Sequence, residues 1–392
     1  MTRRVQTPLA WRNLTHEWRR LLIALCGIGF AVVLMFMETG FENALFDSTI
    51  KVFEDLNADL VISSKAQYAL LAGETFSRQR LYQARGCPGV EGAYPVYFEL
   101  YRGVWKPPKS KGNPIRVLAF DPRDPVFEIR GVAEQRDALQ MPRTALIDTK
   151  SKSKHNVPET LDELLVQHGA ELSAQSIRLV GMFELGTDFI SDGNLIMSSL
   201  NFARFFPNRA MGADPLSIVD VGVIHVEDGA DVNAVKQRLR RILPGDVEVY
   251  TKREFIDHEI EFWSESSPIG FVFALGTMIG FLVGVIICYQ IIYSELADHM
   301  AEFATLKAMG YRNRYFIVFV LRESFYLSVL SFVPGLLVSL ALYEGLARNT
   351  GLLMILNLER AVLVFALTIA MCIVSGCLAM NKVLAADPAD LF

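Results

Sequence analysis

The chain has 392 residues, 52% hydrophobic and 21% charged, with a net charge of −5. A soluble domain carries about 25% charged residues and 45–50% apolar ones, so part of this chain is read as soluble and part as not. The acidic balance excludes nucleic acid as an expected partner, because its binders show a basic footprint.

In chain order, residues 1–20 read as a cytoplasmic amphipathic N-terminal helix. Leu9, Trp11, Leu14 and Trp18 stand among arginines there, a pattern suited to a membrane surface. A first transmembrane helix is expected at 21–40, built on the uncharged run from Leu21 to Met37. Crossing a hydrocarbon core takes roughly 20 apolar residues at 1.5 Å each. This run is longer than a secretory h-region and no small-residue cleavage site follows it, so it reads as an uncleaved anchor.

Residues 41–265 are expected to form a large extracytoplasmic α+β domain, with a loop-rich candidate subdomain inserted at about 100–200. Glu42 to Asn57 continues the first helix. Strands are predicted at Ala58–Ser63, Gly92–Trp105, Ile115–Phe120, Ile177–Leu185, Asn194–Ser198, Ile218–Val226 and Asp246–Thr251. Val232, Val235, Leu239 and Ile242 share a helical spacing, and Lys252–Glu265 reads as a helix leading to the membrane. Strands mixed irregularly with helices indicate an α+β class.

No chemistry is legible in this domain. His155, His168, His225 and His258 lack zinc-ligand spacing, and no G-x-S-x-G elbow occurs. Asp188, Asp192 and Asn194 alternate around Gly193 without the frame of a calcium loop, and a polar turn is the better reading. Cys87 is the one cysteine outside the apolar runs, so no internal disulfide is expected. The domain reads as a binding or coupling module, with neither catalytic nor metal-binding residues.

Three more transmembrane helices are expected at 266–294, 315–343 and 361–381, joined by a cytoplasmic loop at 295–314 and a short outer loop at 344–360, with a tail at 382–392. The second run would be about 43 Å long as a helix and should protrude from the lipid. Arg3, Arg4, Arg12, Arg19 and Arg20, then Lys307, Arg312 and Arg314, then Lys382, place both termini and the 295–314 loop in the cytoplasm. The fold class is therefore a membrane α-helical protein of four transmembrane helices, with the α+β domain between helices 1 and 2. Gly276, Gly280 and Gly284 recur every four residues, as at close helix contacts. They are candidates for helix packing and for a dimer seam. Arg322 and Glu323 are intramembrane polar residues that cannot face each other. Arg322 is expected to snorkel and Glu323 to bond another helix.

Within 295–314, Leu296, Met300, Phe303 and Leu306 fall on one helical face, and Gly310 stands where a helix would stop. The run Glu302 to Gly310, EFATLKAMG, resembles the signature of the FtsX-like permease family. Trp11-Arg12-Asn13-Leu14, Glu323 and the closing Ala385-Ala386-Asp387-Pro388 fit as well, and Ala301 departs from the usual arginine. Tyr289-Gln290-Ile291-Ile292-Tyr293, Leu185-Gly186-Thr187-Asp188-Phe189 and Asp192-Gly193-Asn194-Leu195-Ile196 are similar to DevC-type exporter permeases, relatives of the macrolide exporter MacB.

The resemblance implies a non-catalytic permease that works as a homodimer in the bacterial inner membrane. ATP and magnesium would sit on a separate ABC ATPase subunit, since no G-x-x-x-x-G-K-[ST] occurs in the chain. Met300, Glu302, Phe303, Leu306, Lys307, Met309 and Gly310 would couple to that ATPase. Nucleotide closure would move the periplasmic domain, and a membrane-fusion-type adaptor with an outer-membrane channel would complete an efflux route. The alternatives are an FtsX-like subunit that controls a cell-wall hydrolase and a lipoprotein-releasing permease.

Overall fold

The computed structural model describes residues 18–67, 69, 74–108, 110–158, 160, 162–163, 170–188, 190–266, 268–350 and 354–385, with side chains at all of these but 20, 266, 301, 303, 304, 308, 348–350 and 383–385. Most of the amphipathic N-terminal segment, His168 and the last residues of the tail lie outside this set. The chain divides into two compact units, one of Ala44–Ser267 with Ala347–Leu353, the other of Met1–Asn43, Pro268–Leu346 and Met354–Phe392.

Helix α1 (Trp18–Glu54) comes first. The α+β unit then runs β1 (Leu60–Ser64), β2 (Phe76–Ser77), α2 (Gln79–Arg85), β3 (Val90–Glu99), β4 (Val104–Lys106), β5 (Asn113–Pro114) and β6 (Arg116–Phe120). It continues with α3 (Arg136–Leu139), β7 (Thr144–Asp148), β8 (Glu171–Leu172), β9 (Gln175–Ser176), β10 (Arg178–Phe183), β11 (Asn194–Ser198) and α4 (Ser199–Phe205). β12 (Ile218–Val219), β13 (Val221–Val226), α5 (Val232–Ile242), β14 (Val247–Thr251) and α6 (Lys252–Glu261) complete it.

Eight of these strands form one mixed sheet in the order β10-β7-β11-β6-β3-β13-β1-β14. The pairs β10–β7 and β11–β6 are parallel, and the others are antiparallel. Side chains alternate between sheet faces with period two. Leu60, Ile62, Tyr97, Val117, Ile147 and Leu195 enter one core. Their neighbours Val61, Val96, Leu118, Leu146 and Ile196 enter another with Phe53, Phe127 and Phe255. With both faces covered, central strands read as continuous apolar runs rather than alternating ones. The stretch around 100–200 supplies β6, β7, β10 and β11 to this sheet, and β4, β5, β8 and β9 to a small four-stranded one.

Local differences from the sequence reading have plain causes. The strand expected over Gly92–Trp105 stops at Glu99, whose carboxylate accepts from the amides of Tyr101 and Arg102 and turns the chain. β7 was not predicted. Its apolar core is only Ala145-Leu146-Ile147, too short to show a period, and it becomes central by pairing with β10 and β11. On α5, Val235 and Leu239 are buried as expected, but Ile242 at its end is exposed. The helix expected to run to Glu265 is α6, opened by a reciprocal capping box between Thr251 and Glu254. It is followed by a π-helical turn over Phe262–Ser266.

In the membrane unit, α1 is joined by α7 (Pro268–Asp298), α8 (Met300–Ala308), α9 (Asn313–Thr350) and α10 (Leu358–Ala385). Four spans, Leu21–Glu54, Pro268–Asp298, Asn313–Ala347 and Leu358–Lys382, are long and apolar enough to cross a membrane. Ile28, Ala31, Met35, Cys288, Ile292, Leu327 and Met371 make its core. The helices exceed the apolar runs because hydrogen bonding continues past the last lipid-compatible residue. α9 keeps its helix through Pro334. Next to it, Gly335 lets α1 approach so closely that a Cβ there would stand 2.7 Å from Val32 Cγ1.

Candidate functional site

The junction between α7 and α9 carries the residues expected to couple to a partner. It is not the continuous amphipathic helix that the spacing suggested. α7 ends at Asp298, and α8 restarts at Met300 after His299, whose backbone leaves helical geometry. The break separates Leu296 from the other three residues of the expected face. Leu296 is buried in the helix bundle, and Leu306 packs against the same core. Met300 is half-buried, while Glu302, Lys307 and Met309 are exposed. The side chain of Phe303 lies outside the described set.

Gly310 ends α8 as its place in the sequence predicted. Its φ is +95°, in the left-handed region. The Gly310 amide donates to Lys307 O at 3.0 Å and the Tyr311 amide to Leu306 O at 3.2 Å. These are the two bonds of a Schellman stop. The result is a short helix with a sharp end, presenting one carboxylate, one ammonium and one methionine to solvent.

The glycine row faces the chain's own helices. A Cβ at Gly276 would meet Glu38 Oε2 at 2.5 Å, one at Gly280 would meet Met35 Cγ at 3.6 Å, and one at Gly284 would meet Ala31 Cβ at 3.0 Å and the Met371 sulfur. Small residues thus seat α1 and α10 on α7. Glu38 and the side chains beside it fill the space over the row, so the dimer seam proposed there has the chain's own α1 on that face. Arg322 is exposed on α9, and Glu323 is buried and faces Glu295 of α7. One carboxyl oxygen of Glu323 has no hydrogen-bond partner among the described residues.

The α+β unit holds a polar cluster that the sequence reading saw only as a turn. Arg116 Nη1 donates to Asp188 Oδ2 at 2.5 Å, and both side chains are almost wholly enclosed. Arg116 Nε donates to Asn194 Oδ1 at 2.7 Å, and Asn194 Nδ2 donates to Asp148 Oδ2 at 2.7 Å. Asp188 Oδ1 accepts from the amides of Ile190 and Ser191, and Asp148 from those of Leu185 and Gly186. A buried charge needs a partner and a full set of hydrogen bonds; for Asp188 the partner is Arg116 of β6 and the amides come from its own turn. Asp192 pairs instead with Lys152 and Lys154 at the surface. No cluster of metal-ligating side chains occurs among the described residues.

His155 was scored in the sequence only for metal spacing. It is fully enclosed, and neither ring nitrogen has a hydrogen-bond partner among the described residues. Burial, aided by the Lys154 charge, pushes it down to about 4, so the ring is neutral at pH 7. Elsewhere in the unit, a cleft of about 430 Å³ is lined by Phe98, Glu99, Tyr101, Arg209, Met211 and Asp220, among others. Arg209 pairs with Asp220, whose carboxyl also accepts from the Phe98 amide. Burial still pushes Asp220 up to about 6. Arg209 also lies over the Tyr97 and Phe202 rings, so its charge is spent on the wall of the cleft.

Residues 270–388 match the FtsX-like permease C-terminal family. No curated protein matches the chain. The periplasmic region of MacB from Actinobacillus actinomycetemcomitans aligns with 10% identity and a TM-score of 0.38, covering 54% of this chain and 94% of that one. The extracellular domain of the ABC-type transporter YknZ from Gram-positive bacteria aligns with 11% identity and a TM-score of 0.34, covering 50% and 100%.

Proposed function

From a chain whose residues 270–388 belong to the FtsX-like permease C-terminal family, we propose a permease subunit of an ATP-binding-cassette exporter. In this reading a separate ATPase subunit binds ATP and magnesium and seats on α8. Its cycle moves the α+β unit, which lies in the periplasm, and a membrane-fusion-type adaptor and an outer-membrane channel carry cargo onward. The protein works as a homodimer in the inner membrane with both termini cytoplasmic, as its flanking arginines and lysines favour.

The observation that carries this reading is the α7–α8–α9 junction. α7 and α9 are apolar enough to span a membrane, and between them α8 ends in a fixed stop that leaves Glu302, Lys307 and Met309 exposed. A short rigid helix joined to two spanning helices transmits displacement better than a flexible loop would. An exposed methionine flanked by charges is a suitable small docking surface.

The test is a pull-down of the tagged full chain from native membranes, read by mass spectrometry beside a Met309→Asp/Lys307→Glu variant. Recovery of an ATPase and an adaptor, with the ATPase at least tenfold depleted in the variant, is the expected result. A cell-wall hydrolase recovered in place of the adaptor turns the reading to signalling. A second, different permease turns it to lipoprotein release. No ATPase in either sample overturns it.

A further inference from the structure

α9 and α10 enclose a groove of about 170 Å³, lined by Ile317, Val320 and Leu321 on α9 and Gly376, Cys377 and Met380 on α10. Its origin lies in the packing. α10 runs in close backbone contact with α7, and it meets α9 through the Phe332 and Phe365 rings, whose centroids are 4.9 Å apart. It also comes close to α9 at Gly376, where a Cβ would meet the Ser324 hydroxyl and stand 3.2 Å from Val320 Cγ1. The groove lies beside that point, toward the start of α9.

The open end of the groove is polar. Arg314, Ile317 and Leu321 stand at i, i+3 and i+7 on α9, so Arg314 is on the groove's face, one turn beyond it. Helical side chains lean toward the N-terminus of their helix, which takes the guanidinium away from the apolar lining. Arg314 is exposed, and it makes no hydrogen bond or ion pair among the described residues. Asn381, also exposed, brings an amide to the α10 lip. Tyr311 and Tyr315 flank Arg314 in the sequence and stand half-exposed with ring centroids 4.9 Å apart, as aromatic residues do at a membrane–water boundary.

We propose that this groove is a binding site for an anionic phospholipid. One acyl chain lies along Ile317, Val320, Leu321 and Met380, and Arg314 holds the phosphate with help from the Asn381 amide. Charge decides the occupant. A second copy docking by this face would bring another Arg314, while the one acidic residue of this part of α9, Glu323, is 1% exposed. A lipid phosphate supplies the missing anion, and basic pockets between membrane helices suit anionic head groups.

The test uses the purified full chain in detergent, titrated with phosphatidylglycerol or phosphatidylcholine and read by native mass spectrometry. One phosphatidylglycerol should be retained with at least tenfold preference. Arg314→Gln should weaken it about fivefold, the effect of one basic residue near an anionic surface. Arg312→Gln removes the same charge from a different face and should leave retention unchanged. Cys377→Trp fills the groove and should abolish retention, with thermal unfolding used to check that the variant folds. Equal retention of the two lipids, or equal weakening by the two arginine variants, means boundary lipid gathered by net charge and overturns the site. So does a Cys377→Trp variant that shifts from dimer to monomer while still retaining the lipid.

Discussion

The α+β unit encloses Arg116 and Asp188 together with Asn194, Asp148 and several backbone amides, whereas the membrane unit encloses Glu323 with one carboxyl oxygen unbonded among the described residues. Ser324 and Ser331 of α9 likewise have hydroxyls without a hydrogen-bond partner among the described residues, while Ser375 of α10 reaches Val285 O of α7 at 2.8 Å. The contrast shows two uses of buried polarity. Around Arg116 the bonds of Asp188, Asn194 and Asp148 fasten the 184–194 turn to β6 and β7, while the buried Thr187 hydroxyl in that turn has no hydrogen-bond partner among the described residues. Along α9 the polar atoms are small, spaced for close helix approach, and incompletely bonded, so the packing of glycines and apolar side chains carries the assembly.

The sharpest way to break this comparison is Arg116→Met. It strands Asp188 without its cation in a dry site, and removing one partner of a buried pair costs about 3–5 kcal/mol. Thermal unfolding of the full chain, followed by the fluorescence of buried Trp105, should show a large fall. Adding Asp188→Leu should restore much of it. A loss below about 1 kcal/mol would mean that water or a shifted turn already serves the carboxylate.

Next in size is a pH effect on the same unit. The unfolded chain has His155 at its ordinary 6.5, and the folded chain holds it down at about 4. Between these values the unfolded state binds more protons. The contribution is therefore fully present above pH 6.5 and is lost as pH falls toward 4, by up to about 3 kcal/mol. Trp105 Nε1 donates to His155 O at 3.0 Å, so the same tryptophan emission reports on this region. His155→Phe should flatten the slope between pH 6.5 and 4, and an unchanged slope would assign it to other groups.

The membrane unit should respond to volume instead. Gly284→Val places new atoms against Ala31 and Met371, and overpacking of this kind costs about 1–3 kcal/mol. Calorimetry in detergent should show the membrane transition lowered with the α+β transition unmoved. The smallest expected effect is at the α8 stop. Gly310→Ala meets no neighbour but forces a Cβ into the left-handed region, at about 1 kcal/mol. Faster hydrogen exchange at the Tyr311 amide would register it, while unchanged protection would mean that the stop does not depend on glycine.

Much of this architecture was legible in the residues. The four apolar runs predicted the four spans, because in lipid every backbone polar group must be satisfied within a helix or a closed barrel. Gly310 announced the end of α8, and the helix expected from Lys252 begins there as α6. The site residues were less legible. Leu296 and Leu306 follow the same periodicity as an exposed docking face would, and nothing in that spacing says which side meets the bundle. The break at His299 carries no proline or glycine to mark it.

What the sequence settled by itself was local. Hydropathy over twenty residues and a glycine with free φ each act within a few turns of chain, so their signals survive without neighbours. Tertiary structure alone decided the rest. It made Ala145-Leu146-Ile147 a central strand, brought Arg116 to Asp188 across 72 positions of chain, and enclosed the His155 ring without a hydrogen-bond partner among the described residues. It set Glu323 against Glu295, and it turned the glycine row toward α1 and α10 of the same chain. Each of these depends on which surfaces meet after the chain has folded back on itself. That choice is made by the summed packing of many distant side chains, and no single stretch of sequence records it.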